Sequence, residues 1–312
     1  MINSQYLRQL NSSQTFNVKD VGGKANSLNM LIRKGIRIPE GFVLTTKAFN
    51  YFVEYNNLTQ AILNYTTEFN HEHKDAVKKF HKFRELFVKG QFPKDMQKSI
   101  IEAFRSIKSQ HVAVRSSAVS EDSHTASWAG QLESFTYTDK DMLLENIKKC
   151  WTSIFSVHAL HYKLHKKLDI EDFAIGVIVQ RMIHSDVSGV AFSIHPINKS
   201  DVIVIEAGLG LCESLVNGEI DPDRYIFNKS KKALIENNIG NQSMYRTFIG
   251  NKKVWKKVSK GSSKKQKISD AHINILASNI INIEMFSKHP VDVEWALEKD
   301  KLYILQARPI TS

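Results

Sequence analysis

The stretch His289-Pro-Val-Asp-Val-Glu-Trp-Ala-Leu297, followed after a short gap by Leu302-Tyr-Ile-Leu-Gln-Ala-Arg-Pro309, decides the fold class. Val, Ile, Tyr and Trp fill both halves, and apolar residues alternate with polar ones, the period of a half-buried strand. Glu298-Lys-Asp-Lys301 between them reads as a tight polar turn, so the pattern predicts a β-hairpin. Side chains alternate along a strand, so Asp292 and Glu294 share one face, and Gln306 and Arg308 share one face of the second strand. If the strands pair, two carboxylates, an amide oxygen and a guanidinium can meet. Carboxylate and amide oxygens are hard donors suited to Mg²⁺, and Arg neutralises phosphate oxygens. Mg²⁺ usually completes its shell with substrate phosphates. The residues point to a Mg-nucleotide site. Taken alone, an antiparallel hairpin with one solvated polar face accounts for the pattern equally well.

The chain around this hairpin has 312 residues, 42% of them hydrophobic, enough for one large or two medium packed domains. No apolar run approaches the ~20 residues that span a bilayer, and Met-Ile-Asn-Ser-Gln-Tyr at the start lacks the regions of a secretory signal. Cys150 and Cys212 have no metal spacing and read as reduced thiols, so a cytoplasmic protein is expected. The net charge is +11, and eight lysines with no acidic residue fall between Lys252 and Lys267. A solvated mobile loop is the favoured reading of that segment. A nucleic-acid role is disfavoured, because no binding motif accompanies the charge.

Residues 25–34 repeat Leu28, Leu31 and Ile32 at helical spacing, with Gly35 as the stop. Residues 36–46 turn into a short strand, with Thr as the N-cap of the next helix. Several helices are expected over 47–108, with Phe80, Phe83, Leu86 and Phe87 as one packed stripe. Strands are expected at 112–115, 133–138, 174–182, 189–194, 202–206 and 225–228. Helices are expected at 141–167, as one long amphipathic element, and at 268–286. The chain is thus α+β, helix-rich first and strand-rich later, with the lobes taken as 1–190 and 191–312.

Other constellations are weaker. Gly22-Gly-Lys24 offers a flexible turn and an ammonium without the P-loop spacing. Arg115-Ser-Ser117 sets one fixed cation beside two hydroxyls at a strand end. Ser127-Trp-Ala-Gly-Gln131 can lay backbone amides over phosphates or can be an ordinary turn. Gln180-Arg-Met-Ile183 can supply an adenine edge, although a core strand is the stronger reading of it alone. Gly208-Leu-Gly-Leu-Cys-Glu213 lacks the Rossmann glycine spacing, and its Glu213 suits ribose hydroxyls or a second metal. His124 reads as a polar surface residue, and no Ser-His-Asp set is apparent.

Taken together these residues resemble a family. VGGKANSLNMLIRKGIRIPEGFVLTT, VAVRSSAVSEDSHTASWAGQLESF, VIVQRMIHSDVSGVAFSIHP, GLGLCESLVNGEIDPDRY and VDVEWALEKDKLYILQARP occur in its order over nearly the whole chain. The family is the N-terminal ATP-binding domain of phosphoenolpyruvate synthase, pyruvate phosphate dikinase and rifampicin phosphotransferase. The resemblance implies an ATP-grasp fold, two α+β lobes closing on Mg-ATP, and so ATP and Mg²⁺ as cofactors. It also implies roles. Lys24, Arg115 and Arg308 match phosphate contacts. Ser127, Ala129, Gly130 and Gln131 match a phosphate-covering loop. Gln180, Met182 and Ile183 match an adenine-contacting strand, and Glu294 and Gln306 match Mg²⁺ ligands with Asp292 as the neighbouring acid.

Three departures qualify the match. Cys212 stands where the family's Gly-Leu-Gly-Glu has its second glycine. Leu132-Glu133-Ser134 replaces Gln-Asp-Thr. Family enzymes continue into a swivelling phospho-histidine domain and a substrate domain, and no Thr-Ser-His motif of that kind occurs here. The expectation is therefore an ATP-dependent phosphotransferase component. It would pass a phosphoryl or pyrophosphoryl group to a histidine on a separate phospho-histidine or substrate-domain protein, and onward to pyruvate or another small acceptor. The alternatives are direct phosphorylation of a small molecule and a non-catalytic nucleotide-binding regulatory module.

Overall fold

The computed structural model describes residues 5–69, 73–119, 132–166, 173–250, 252–259 and 261–310. Two compact units emerge, one of Met1–Met30 with Glu40–Met182 and one of Leu31–Pro39 with Ile183–Ser312.

The first unit has the order β1 (Leu7–Gln9), α1 (Val18–Val21), α2 (Gly23–Arg33), β2 (Gly41–Leu44), α3 (Thr46–Tyr55), α4 (Thr59–Thr67), α5 (His73–Lys89), α6 (Lys94–Ser106), β3 (Val112–Ala118), β4 (Ser134–Thr138), α7 (Lys140–Thr152), α8 (Val157–His165) and β5 (Ile175–Arg181). Its strands form an antiparallel sheet in the order β1-β2-β5-β3-β4. The helices bury an aromatic core of Phe49, Phe52, Phe83, Phe87, Trp151 and Phe155. Phe80, Phe83 and Phe87 recur at i, i+3 and i+7 and are buried, whereas Leu86 is 48% exposed and lies outside the stripe.

Two local expectations change. The helix expected over 141–167 is two helices. A 3₁₀ turn at Ser153–Phe155 interrupts it, and Ser156 restarts it by accepting the Ala159 N–H at 3.1 Å. Thr45 does occupy the N-cap of α3, but its hydroxyl donates to Gln5 O at 3.0 Å rather than capping the helix. Gly35 ends α2 as expected, at φ +79° with its N–H on Ile32 O.

The second unit continues with β6 (Val187–Phe192), β7 (Val202–Leu209), α9 (Cys212–Val216), β8 (Asp223–Asn228), β9 (Ala233–Asn238), β10 (Met244–Ile249), β11 (Lys252–Lys257), α10 (Asp270–Ser287), β12 (Val291–Glu298) and β13 (Lys301–Pro309). Six strands form an antiparallel sheet in the order β13-β12-β6-β7-β8-β9, and β10 and β11 form a separate ribbon. Helix α10 buries Ile273, Leu276, Ala277, Ile280 and Ile283, one stripe at helical spacing, and packs on β12 and β13. The Arg37 carbonyl takes the Ile304 N–H at 2.9 Å, which ties the Leu31–Pro39 segment to this unit.

The lysine-rich segment is a loop only in its later part. Lys252–Lys257 is a strand paired with Met244–Ile249, and the segment ends on a buried lysine. Lys267 Nζ meets Asp223 Oδ1 at 2.9 Å and the carbonyls of Gly240 and Lys265 at 3.1 and 2.9 Å. The same Asp223 accepts from the Lys267 N–H and the Tyr225 hydroxyl. A buried ion pair holds only when its remaining hydrogen-bonding capacity is met in this way. Charge counting could not separate this one structural lysine from its exposed neighbours.

Candidate functional site

In the first unit, a glycine turn sits directly on the sheet. Gly22 has φ +82°, and a Cβ there would lie 1.9 Å from the Ser117 carbonyl oxygen. A Cβ on Gly176 of β5 would lie 2.5 Å from Val21 O. Only glycine at both positions lets the α1–α2 turn approach β3 and β5 so closely. The Ser117 hydroxyl then accepts the Ala25 N–H at 3.1 Å, at the first turn of α2, and Lys24 Nζ comes 3.4 Å from Ser116 O.

The pleat extends this cluster. Arg115 and Ser117 alternate onto one face of β3, and Gln180 is the cross-strand partner of Ala113 on that face. The structure therefore brings Lys24, Arg115 and Gln180 to one face of the sheet. Ser116 and Ser117 are fully buried. The Ser116 hydroxyl bonds the Glu133 carbonyl and Ser153, so both serines serve the scaffold rather than a ligand. At the far end of the edge expected to meet adenine, the Met182 N–H donates to His111 O at 3.1 Å and the Arg181 N–H to Glu40 O at 2.7 Å. Ile183 is buried. Ser127, Ala129, Gly130 and Gln131, like His124, lie outside the described residues. Just past that stretch of sequence, Glu133 takes a bidentate pair from Arg84 at 2.7 and 2.5 Å, an anchor with no sequence signal because the partners are 49 residues apart.

In the second unit, the expected hairpin forms. Lys299 and Asp300 turn it at φ +47° and +65°, two positive values that fit the twist of antiparallel strands. From this turn the ladder runs Glu298 opposite Lys301 to Trp295 opposite Ile304. The next pair is Glu294 with Gln306, then Asp292 with Arg308, so the register shifts by one residue between Trp295 and Glu294. A bulge of this kind reverses the parity of everything beyond it. Leu302 and Ile304 are buried on one face, and the shift carries Gln306 and Arg308 over to the face of Glu294 and Asp292. An unshifted ladder would set Glu294 opposite Leu305.

Arg308 donates to one oxygen, Asp292 Oδ2, from Nε at 2.7 Å and from Nη2 at 2.6 Å. Burial pushes the Asp292 carboxyl above the ordinary range. The guanidinium pulls against that, and Glu294 pushes with it. Burial wins although the ion pair is short, because a desolvated carboxylate loses more than one partner returns. Gln306 is buried beside Glu294. Glu294 and Gln306 thus offer two hard oxygen donors side by side, a donor set that fits Mg²⁺ with phosphates completing its shell.

Glu213 lies in the first turn of α9, away from the hairpin in sequence and in a different setting. Lys253 of β11 pairs with its carboxylate, and Arg246 of β10 stands 3.8 Å from it and 3.6 Å from Glu219. Arg246 also lies over the Trp255 ring at 4.9 Å. This ribbon was not legible as a partner of Glu213.

The chain as a whole is similar to known proteins. The model of the pyruvate phosphate dikinase AMP/ATP-binding domain matches residues 18–312. The chain belongs to this family. Its fold is accordingly α+β of the ATP-grasp type, and it is an ATP-binding domain. A probable phosphoenolpyruvate synthase of Archaeoglobus fulgidus is 36% identical over 94% of the chain and 40% of that protein. A phosphoenolpyruvate synthase of Aquifex aeolicus is 35% identical over 93% of the chain and 37% of its own length. A rifampicin phosphotransferase of Bacillus subtilis is 34% identical over 94% of the chain and 34% of its own length. The chain therefore spans two fifths or less of the length of these relatives. No helix among the described residues is long and apolar enough to cross a membrane.

Proposed function

We propose that this chain is the Mg-ATP-binding component of a phosphotransferase, and that it passes a phosphoryl or pyrophosphoryl group from ATP to a histidine on a separate protein. From there the group goes on to pyruvate or another small acceptor. The observation that carries the reading is the register of the terminal hairpin, which pairs Glu294 with Gln306 and Asp292 with Arg308 on one face. Membership of an AMP/ATP-binding family supports it, as do relatives named for phosphoenolpyruvate synthesis and rifampicin phosphotransfer.

In this reading Glu294 and Gln306 hold Mg²⁺, which when bound supplies charge neutralisation at the phosphates. Lys24, Arg115 and Arg308 are the phosphate-contacting residues. Ser127, Ala129, Gly130 and Gln131 cover the phosphates with backbone amides. Gln180, Met182 and Ile183 face the base. Since the Met182 N–H is already used by His111, base recognition at that residue falls to its carbonyl and to packing of the thioether. Glu213 takes the ribose hydroxyls in exchange for Lys253. Phosphoryl transfer asks a protein mainly for position and charge, and this set of residues supplies both.

The test is transfer from γ- and β-labelled ATP to a candidate histidine-bearing protein, with Arg308→Ala as control. Label on that protein that the control abolishes supports the reading. Unchanged ATP turnover in the Arg308→Ala or Glu294→Ala chain contradicts the site. A second reading, direct transfer to a small molecule, is favoured by the rifampicin phosphotransferase relative. A nucleotide-dependent product made by the purified chain alone would select it.

A further inference from the structure

Asp292 and Glu294 are carboxylates two residues apart on one strand face, and by residue type either can hold a metal. Their cross-strand partners separate them. Glu294 faces the neutral amide of Gln306, whose oxygen is a second hard donor. Asp292 faces Arg308, and its Oδ2 already accepts from Nε at 2.7 Å and Nη2 at 2.6 Å. An ion drawn to Asp292 would have to share that carboxylate with a fixed cation. The geometry points to Asp292 as the positioning residue of Arg308 and not as a metal ligand, an inference that rests on the Mg-ATP reading above.

The physical reason lies in the arginine. Its long side chain loses rotamer entropy whenever the guanidinium is fixed. Held beforehand through Nε and Nη2, Arg308 presents its remaining N–H donors to a phosphate without that loss. A carboxylate is the group for the task, because charge-assisted bonds to a guanidinium are roughly twice as strong as neutral ones. The two pairs then divide the work. Asp292 with Arg308 is a neutral, oriented phosphate grip. Glu294 with Gln306 keeps one negative charge for the cation.

The experiment measures ATP affinity of the full chain by calorimetry, in Mn²⁺ and in EDTA, with free Mn²⁺ followed by electron paramagnetic resonance. The variants are Asp292→Asn, Arg308→Lys, their double and Glu294→Gln, each checked for folding by circular dichroism. Asp292→Asn is expected to weaken ATP binding about tenfold in both conditions, so that the stimulation by Mn²⁺ stays within about twofold of the unmodified chain. The double variant is expected to be no weaker than Arg308→Lys alone, since residues acting as one unit do not add. Glu294→Gln is expected to lose the stimulation. If Asp292→Asn loses it as Glu294→Gln does, or if the double variant's losses add, the inference is overturned while the Mg-ATP reading stands. An unmodified chain that binds no ATP under either condition overturns both. Should Asp292→Asn fail to fold, Arg308→Lys decides, because a loss of the Mn²⁺ stimulation there would tie this pair to the metal.

Discussion

Glu294 and Gln306 are direct cross-strand partners because the ladder of the terminal hairpin slips by one residue just before it reaches them. On the turn side of that slip, Trp295 faces Ile304 and both are buried. Beyond it, Glu294 faces Gln306 and Asp292 faces Arg308. A single irregularity thus converts a structural hairpin into a set of convergent oxygen and guanidinium groups.

The glycine turn that seats α2 leaves no room for a side chain. Gly22→Ala would drive a Cβ into the Ser117 carbonyl at a φ that L-residues avoid. The expected cost is about 3 kcal/mol, combining overpacking with left-handed strain. Chemical denaturation measures it. Lys24→Met, in contrast, should leave stability within about 0.5 kcal/mol. It should weaken ATP binding about tenfold to a hundredfold, the worth of a lost charged hydrogen bond.

Lys267→Met tests the buried pair. It removes the only cation bonded to Asp223 among the described residues and leaves that carboxylate at zero exposure. A loss of about 3–5 kcal/mol is expected from the unfolding midpoint. Substituting any of the exposed Lys252, Lys256 or Lys257 should change stability by less than about 0.5 kcal/mol.

Thiol chemistry should distinguish the two cysteines. Burial pushes the Cys150 thiol from its ordinary 9.0 up to about 12, so it stays protonated and unreactive in the folded chain. Cys212, partly exposed, should take up iodoacetamide at pH 8 while Cys150 reacts only on unfolding. Since the folded value is the raised one, the stabilisation from keeping this thiol neutral is complete below pH 9. It is lost as pH climbs towards about 12. Cys150→Ala should therefore lose less stability over that window than the unmodified chain, which a series of denaturation curves would show.

The period-two alternation at 289–309 and the polar turn were legible in the sequence, because a half-buried hairpin advertises its faces. The slip at Glu294 was not. Leu305-Gln-Ala-Arg308 carries no glycine or other signal of a bulge, and the shift shows only in the pairing of the two strands. Helix α2 was legible from its apolar spacing and its glycine stop, and the stretch of α10 was legible as helix. The break at Ser153–Phe155 was not, since the hydrophobic period continues through it. The β10–β11 ribbon and its grip on Glu213 were hidden by lysine content that reads as solvated chain. Lys24, Arg115 and Gln180 were found singly. That they share a sheet face follows from the pairing of β3 with β5, which no local pattern encodes.

Calorimetric titration of the purified chain with ATP, in Mg²⁺ and in EDTA, beside Glu294→Ala, tests the central claim most directly. The account predicts saturable binding that Mg²⁺ strengthens and a variant that keeps its fold but loses the strengthening. Binding indifferent to Mg²⁺, or a Glu294→Ala chain that responds to Mg²⁺ as the unmodified one does, would contradict it.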